Sequence, residues 1–482
     1  MHTFYWFDFE TFGANPAKDR PAQFAGIRTN LDFEIIEEPL NIYCKPANDF
    51  IPHPQACLIT KITPQQAKEK GICERDFFRL IHLELSTANT CAVGYNSIRF
   101  DDEVVRFGLY RNFYDAYARE WQDGNSRWDI IDLLRMTQAL RPEGIEWPIN
   151  EMGAPSFKLE ILSEANHIQH HNAHDALADV YATIAMAKLV KQKQPRLFDY
   201  LFELRDKRKV MSEIDLIKLT PFVHCSGMLG PTHQYCAVML PLVAHPINKN
   251  SVICLDLTKP FEDFSQLDVE QLEYLIFTRE ANLPESTSRI PIKEIHYNKC
   301  PAVAPLSVLN IKTQKRLGIN LDECLAKAEK IKRQIALIQG KLITLYQKNS
   351  FEDITNPDFA LYSGGFFKPM DKSKMQQIRQ MDWPALVEQP FQFEDNRLPE
   401  MLFRYRARNA IDTLSAEERQ RWDSFRRANF FDANSGSTLL YAEYCQQFEA
   451  LMQTPQTDQT ILTAVNDYVN QLVTEVQSKN NK

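Results

Sequence analysis

The sequence lacks several features that would direct its reading elsewhere. Its 10 cysteines stand singly between Cys44 and Cys445, with no Cys-x-x-Cys pair, which argues against a structural zinc or a dithiol redox site. No apolar run is long enough to span a bilayer, and no basic amino terminus leads into an apolar stretch, so a membrane-free, cytoplasmic and reduced protein is expected. There is no excess of positive charge either: 55 Lys and Arg stand against 63 Asp and Glu, a net charge of -8. That balance does not announce a nucleic-acid binder. It does not exclude one, because the local field rather than the total charge steers a polyanion.

At 482 residues the chain exceeds the size at which one core keeps growing, and two or three domains are expected. Residues 1–195 mix strand-like and helix-like segments, the pattern of an α/β core. Thr3–Glu10 and Cys91–Tyr95 read as strands. Asp101–Phe107, Trp128–Leu140 and Ala173–Val190 read as helices. Residues 196–350 hold short strand candidates at Val223-His224, Tyr235–Leu240 and Ser251–Leu255, followed by a helical pattern over Ala326–Gln347. Residues 351–482 read as separate helices, Met375–Met381, Ala416–Phe430, Ser437–Met452 and Thr460–Val476.

The informative residues are acidic. Asp8 and Glu10 lie two apart on a predicted strand, so both point to one face while Phe7 and Phe9 point to the other. No Lys or Arg within the segment neutralises them; a divalent cation would. Asp101 and Asp102 open a predicted helix; one caps it, and either is free to face a metal. His174 precedes Asp179 by five positions, which places the histidine before the helix or in its first turn. Hard oxygen donors without cysteine select magnesium or manganese. Two such ions, with an imidazole titrating near neutrality, suit phosphodiester hydrolysis by water.

The order Asp8-x-Glu10, Asp101, then His174-x4-Asp179 resembles the DEDD exonuclease superfamily, in its His-containing subclass. The match sharpens to the bacterial exodeoxyribonuclease I family on Asp8–Gly13, Asp19-Arg20-Pro21-Ala22-Gln23-Phe24, Arg99–Glu103, Asn125–Asp129, Leu140–Gly144 and Ala173–Ala176, and further along on Asn298–Pro301, Arg316–Asn320 and Leu402–Asn409. The resemblance implies a ribonuclease H-like exonuclease domain, a small SH3-like β-barrel domain and a C-terminal helical domain. It also implies magnesium-dependent, processive 3′ to 5′ hydrolysis of single-stranded DNA to 5′-mononucleotides in repair and recombination. By the same likeness Asp8, Glu10, Asp101 and Asp179 are metal ligands for two Mg2+, with Mn2+ as substitute, and His174 is the general base.

A strand held during processive hydrolysis needs cations for phosphates and rings for bases. Glu10, Phe12, Tyr95, Asn96, Arg99, Arg127, Trp128 and Lys158 are the candidate substrate contacts, and Arg404, Arg406 and Arg408 are further cationic candidates. Lys158 stands where the family pattern leads one to expect arginine, which keeps the charge and loses the planar fork. Arg141, Tyr200, Lys315 and Arg316 are candidates for docking the acidic C-terminal tail of single-stranded DNA-binding protein. A monomer is expected. A related ribonuclease, a proofreading subunit and a non-catalytic strand-binding scaffold are the alternatives. The additional domains argue against the first, the chain length against the second, and the complete set of acids with histidine against the third.

Overall fold

Thr3–Thr11, rich in aromatic and β-branched residues, forms β1. The structure, a computed structural model, describes residues 2–169, 175–285, 287–348 and 354–478. β1 pairs antiparallel with β2 (Pro21–Thr29), from Phe4↔Thr29 to Glu10↔Gln23. It pairs parallel with β4 (Thr90–Gly94), from Thr3↔Thr90 to Trp6↔Val93. With β3 (Leu40–Tyr43) outside β2, these strands run β3-β2-β1-β4 within a five-stranded sheet. The sequence pattern predicts no strand at β2, because its buried run lacks polar alternation.

The parallel pairing ends at Trp6, so Asp8 and Glu10 run past the carboxyl end of β4. In sheets with parallel strands, that end is where functional side chains gather. The Phe7 and Phe9 face packs on Phe77, Phe78 and Ile81 of the Glu74–Leu85 helix and on Val104, Val105 and Leu109 of the Asp101–Arg111 helix. These two helices approach closely at Gly108, where a Cβ would fall 1.9 Å from the Phe78 ring. That contact seats the helix whose first residue is Asp101.

The chain gathers into two compact units, one of Met1–Ser126, His170–Tyr181 and Glu352–Lys482, the other of Arg127–Gln169 and Ala182–Phe351. In the first, the carboxyl-terminal helices Ala416–Phe431, Tyr441–Met452 and Gln459–Ser478 share a core with the amino-terminal segment. Phe12, Ala22 and Ile51 lie in it beside Phe430, Tyr444, Val465 and Val469.

In the second unit, β5 (Ser126–Asp129) leads into the Ile130–Leu140 helix. The helix starts later than the predicted Trp128 because the Asp129 side chain caps it, accepting the Ile131 N–H at 3.0 Å. A five-stranded antiparallel sheet follows, in the order β10-β6-β7-β8-β9. Its strands are β6 (Phe222–Cys225), β7 (Cys236–Ala244), β8 (Ser251–Asp256), β9 (Ile292–His296) and β10 (Ala302–Pro305). The helical pattern expected over Ala326–Gln347 is two helices, Leu321–Lys332 and Ile335–Lys348. They are divided where Gln334 N–H turns back to the Ile331 carbonyl in a tighter, three-residue bond. Among the described residues no helix is long and apolar enough to cross a membrane.

Candidate active site

All the acidic side chains singled out in the sequence lie in the first unit. Asp8 and Glu10 leave the β1 face opposite Phe7 and Phe9, as the strand alternation requires. Asp179 lies in the first turn of the Ala176–Lys193 helix, where the amide dipoles favour a negative charge. Carboxylate oxygens of Asp8, Glu10 and Asp179 lie within 4.8 Å of one another. Asp101 reaches β1 from the start of the Asp101–Arg111 helix, accepting the Phe9 backbone N–H at 3.1 Å. Its neighbour Asp102 is turned away and paired with the Arg119 guanidinium. Of the two, Asp101 is the one whose carboxylate acts on Asp8 and Glu10.

The electrostatics of the cluster are those of a cation site. Burial, then the carboxylates of Asp101, Glu10, Asp179 and Asp175, hold the Asp8 carboxyl well above its usual range. Burial, followed by Asp179, Asp101 and Asp175, pushes Glu10 up to about 9. Among the described residues no Lys or Arg pairs with Asp8 or Glu10. Buried carboxylates without cationic partners either stay protonated or bind metal. An all-oxygen donor set fits a hard divalent ion.

Two residues of the site escaped the sequence reading, although both fall inside motifs it quoted. Asp175 is the N-cap of the Ala176–Lys193 helix, its Oδ1 accepting the Ala178 N–H at 3.2 Å. Gln23, directly opposite Glu10 in the β1–β2 register, donates to Asp175 Oδ2 at 3.2 Å. Their positions in His174-Asp175-Ala176 and Pro21-Ala22-Gln23-Phe24 were the available signal. The pairing of β2 with β1 was the missing step. His174 lies outside the described residues.

The candidate strand contacts divide into exposed and interior groups. Arg99 and Asn96 are exposed and Tyr95 half-buried in the turn after β4, with Asn96 at a left-handed φ of 61°. Lys158 is exposed, immediately before the Leu159–Ala165 helix of the second unit. Phe12 is instead a core residue, 1% exposed. Trp128 is enclosed by Phe198 and Phe202, with ring centroids 5.2 Å away. Both rings are buried, 1% and 2% exposed, which leaves neither open for stacking on bases. Arg127 is buried and donates to the Asn298 carbonyl at 3.0 Å, which corrects its assignment to phosphate.

Arg404, Arg406 and Arg408 are corrected likewise. Arg404 and Arg408 pair with Asp358, Arg408 also with Asp49, and Arg406 with Glu418. Their charges are spent on carboxylates, buried at Asp49 and Asp358 and half-buried at Glu418.

In the second unit, Arg316 donates to the Gln138 and Ala139 carbonyls at the end of the Ile130–Leu140 helix. Burial and the nearby Arg141 cation lower its pKa. Lys315 is exposed. The Tyr200 hydroxyl lies 3.1 Å from both the Glu213 carboxylate and the Val303 carbonyl.

Comparison with known proteins covers nearly the whole chain. The family model described as Exonuclease matches residues 5–187, that described as Exonuclease I SH3-like domain matches 205–348, and that described as Exonuclease I C-terminal domain matches 355–472. Exodeoxyribonuclease I of Escherichia coli is 47% identical over 429 residues, 89% of this chain and 90% of the relative. That of Haemophilus influenzae is 45% identical over 426 residues, 88% of this chain and 90% of the relative. The structure of E. coli exonuclease I with a dA16 oligonucleotide aligns at a TM-score of 0.93 and 43% identity, over 98% of this chain and 100% of the other. A zinc-bound form of the E. coli enzyme with single-stranded DNA aligns with the same figures.

Proposed function

We propose, from the premise that this chain belongs to the exodeoxyribonuclease I family and is a DNA exonuclease, that it removes 5′-mononucleotides processively from the 3′ end of single-stranded DNA. The observation that carries the reading is the convergence of Asp8, Glu10 and Asp179 within 4.8 Å, with Asp101 bonded to the intervening Phe9 amide. The family is metal-dependent, and Mg2+ is the ion proposed here. Two Mg2+ held by Asp8, Glu10, Asp101 and Asp179 would supply the electrostatic stabilisation that in-line displacement at phosphorus requires.

The chain's own residues do the rest. Asp8, Glu10 and Asp101 are tied together through β1 and the Phe9–Asp101 bond, and the first turn of its own helix brings Asp179 to Asp8 and Glu10. His174, five positions before Asp179 in the chain, takes the proton from the attacking water. Arg99, Asn96, Tyr95 and Lys158 contact the strand, and Glu10 borders the terminal nucleotide. Arg141, Lys315 and Arg316, with Tyr200, hold the acidic tail of single-stranded DNA-binding protein. The enzyme acts as a cytoplasmic monomer in DNA repair and recombination. Its functional domains are residues 1–195, 196–350 and 351–482.

Single-stranded DNA labelled at the 3′ or 5′ end, incubated with and without Mg2+, tests the polarity and the metal together. Immediate Mg2+-dependent release of the 3′ label as mononucleotide, abolished by Asp179→Ala, is expected. Initial release of the 5′ label would overturn the polarity, and a preference for RNA would overturn the substrate.

A further inference from the structure

Gln23 is the cross-strand partner of Glu10, so its side chain leaves the same face of the sheet as the acidic cluster. It is 1% exposed. Its Nε2 lies 3.0 Å from Asn41 Oδ1 on β3 and 3.2 Å from Asp175 Oδ2. A carboxylate accepts only, so the bond to Asp175 fixes which end of the amide is nitrogen. Both N–H donors are therefore used, while Oε1 is buried without a partner.

What Gln23 grips is the start of the helix that carries Asp179. Asp175 Oδ1 accepts the Ala178 N–H at 3.2 Å, and the Asp175 carbonyl accepts the Asp179 N–H at 3.1 Å. One residue thus supplies the side-chain cap and the first backbone bond of the helix. Asp175 also lies near enough to raise the pKa of both Asp8 and Glu10. Left alone, a carboxylate there would be repelled from the cluster. The Gln23 amide opposes that repulsion from a strand paired in register with β1 from Phe4↔Thr29 to Glu10↔Gln23, just before the register shifts at Thr11.

We infer that Gln23 is a positioning residue for the metal site: through Asp175 it fixes the first turn of the Ala176–Lys193 helix, and so holds Asp179 in reach of Asp8 and Glu10. The Asp179 carboxylate belongs to a different element from Asp8 and Glu10, and the hydrogen bond from Gln23 ties the start of that element to β2, the strand paired with β1. An amide is required at position 23. Glutamate would add a carboxylate beside Asp175 and Glu10 and reverse the sign of the contact, and asparagine is one methylene too short to span the same gap.

The inference rests on the metal-site reading above, and the test separates the two. Binding of Mn2+ alone is measured by titration calorimetry for the wild-type protein, Gln23→Met and Gln23→Glu. Hydrogen exchange of the Ala178 and Asp179 amides is followed in the metal-free state. Gln23→Met keeps the volume and removes both hydrogen bonds. It is expected to weaken Mn2+ binding about 10-fold, the lower end of what outer-shell partners of metal ligands contribute, and to speed exchange of those two amides while the β1–β2 amides stay protected. Gln23→Glu is expected to weaken binding at least as much.

In turnover assays the half-saturating metal concentration should rise with the KM for DNA unchanged, a split that a general loss of folding would not give. Unchanged Mn2+ affinity and unchanged exchange in Gln23→Met would overturn the inference. Failure of the wild-type protein to bind Mn2+ would overturn the metal-site reading instead, and the exchange result would still decide whether Gln23 holds the helix start.

Discussion

The Arg119 guanidinium donates to Asp102 at 2.5 Å, and this pair, fully buried, separates the duties of two adjacent aspartates. Asp102 neutralises a cation in the interior; Asp101 is left to bond the Phe9 amide beside the acidic cluster. The two asparagine variants should therefore fail differently. Asp101→Asn is expected to lower turnover at least about 100-fold, beyond the effect of an outer-shell change, with little loss of stability. Asp102→Asn should retain most of its turnover per folded molecule yet lose about 3 kcal/mol, because it leaves the buried Arg119 with only the more distant Glu120 carboxylate, 3.8 Å away. Urea unfolding alongside steady-state assays distinguishes them; equal activity losses would refute the division.

The Glu10 carboxyl, pushed up to about 9 by burial and then by its acidic neighbours, makes the metal-free protein pH-sensitive. Between the ordinary glutamate range and pH 9 the folded state binds more protons than the unfolded state, so stability falls as pH rises. Metal-free melting temperature should decline across that window, and Glu10→Gln should flatten the decline. Calorimetric Mn2+ binding near neutral pH should release protons, read as a dependence of the enthalpy on buffer ionisation. A buffer-independent enthalpy would count against ionisation of Glu10 on binding.

His82 gives the opposite slope on the acid side. Burial, then the Arg379 and Arg119 cations, lowers its pKa from 6.5 to about 4, and its ring packs on Tyr114 with centroids 4.3 Å apart. The unfolded chain takes up a proton below pH 6.5 that the folded chain refuses until about pH 4. Stability present above the first value is thus lost as pH falls towards the second, by about 3 kcal/mol at most. His82→Phe should remove that part of the slope in unfolding measured between these values. An unchanged slope would show that other groups account for it.

Arg408 joins Asp49 and Asp358 inside the first unit, and its charge in turn holds both carboxyls below their usual range against the effect of burial. Arg408→Met should cost about 3–5 kcal/mol, since two buried carboxylates lose their shared partner. Denaturant unfolding checks the loss. Affinity for single-stranded DNA, measured on the folded fraction, should not change. A selective loss of DNA binding at intact stability would restore the phosphate role that the sequence pattern suggested.

The same three arginines show where reading a sequence stops. Arg404, Arg406 and Arg408 alternate with Phe403 and Tyr405 in a pattern that suits contact with a nucleic-acid strand or simply a solvated helix or strand. Only the arrival of Asp49, Asp358 and Glu418 from distant segments decides for the interior. Phe12 and Trp128 illustrate the apolar counterpart: ring chemistry is local, whereas the burial of its faces is a property of packing.

By itself the sequence determined the chemistry on offer. Strand alternation placed Asp8 and Glu10 on one face, the helix pattern placed Asp179 near a helix start, and the order of the motifs pointed to the family. Those features depend on neighbours along the chain. Tertiary structure decided which of Asp101 and Asp102 faces the cluster, by bringing Arg119 to one and the Phe9 amide to the other. It also brought Gln23 opposite Glu10 and onto Asp175. No local periodicity encodes those contacts, because each is set by strand pairing and by competition among charges for partners in a closed interior.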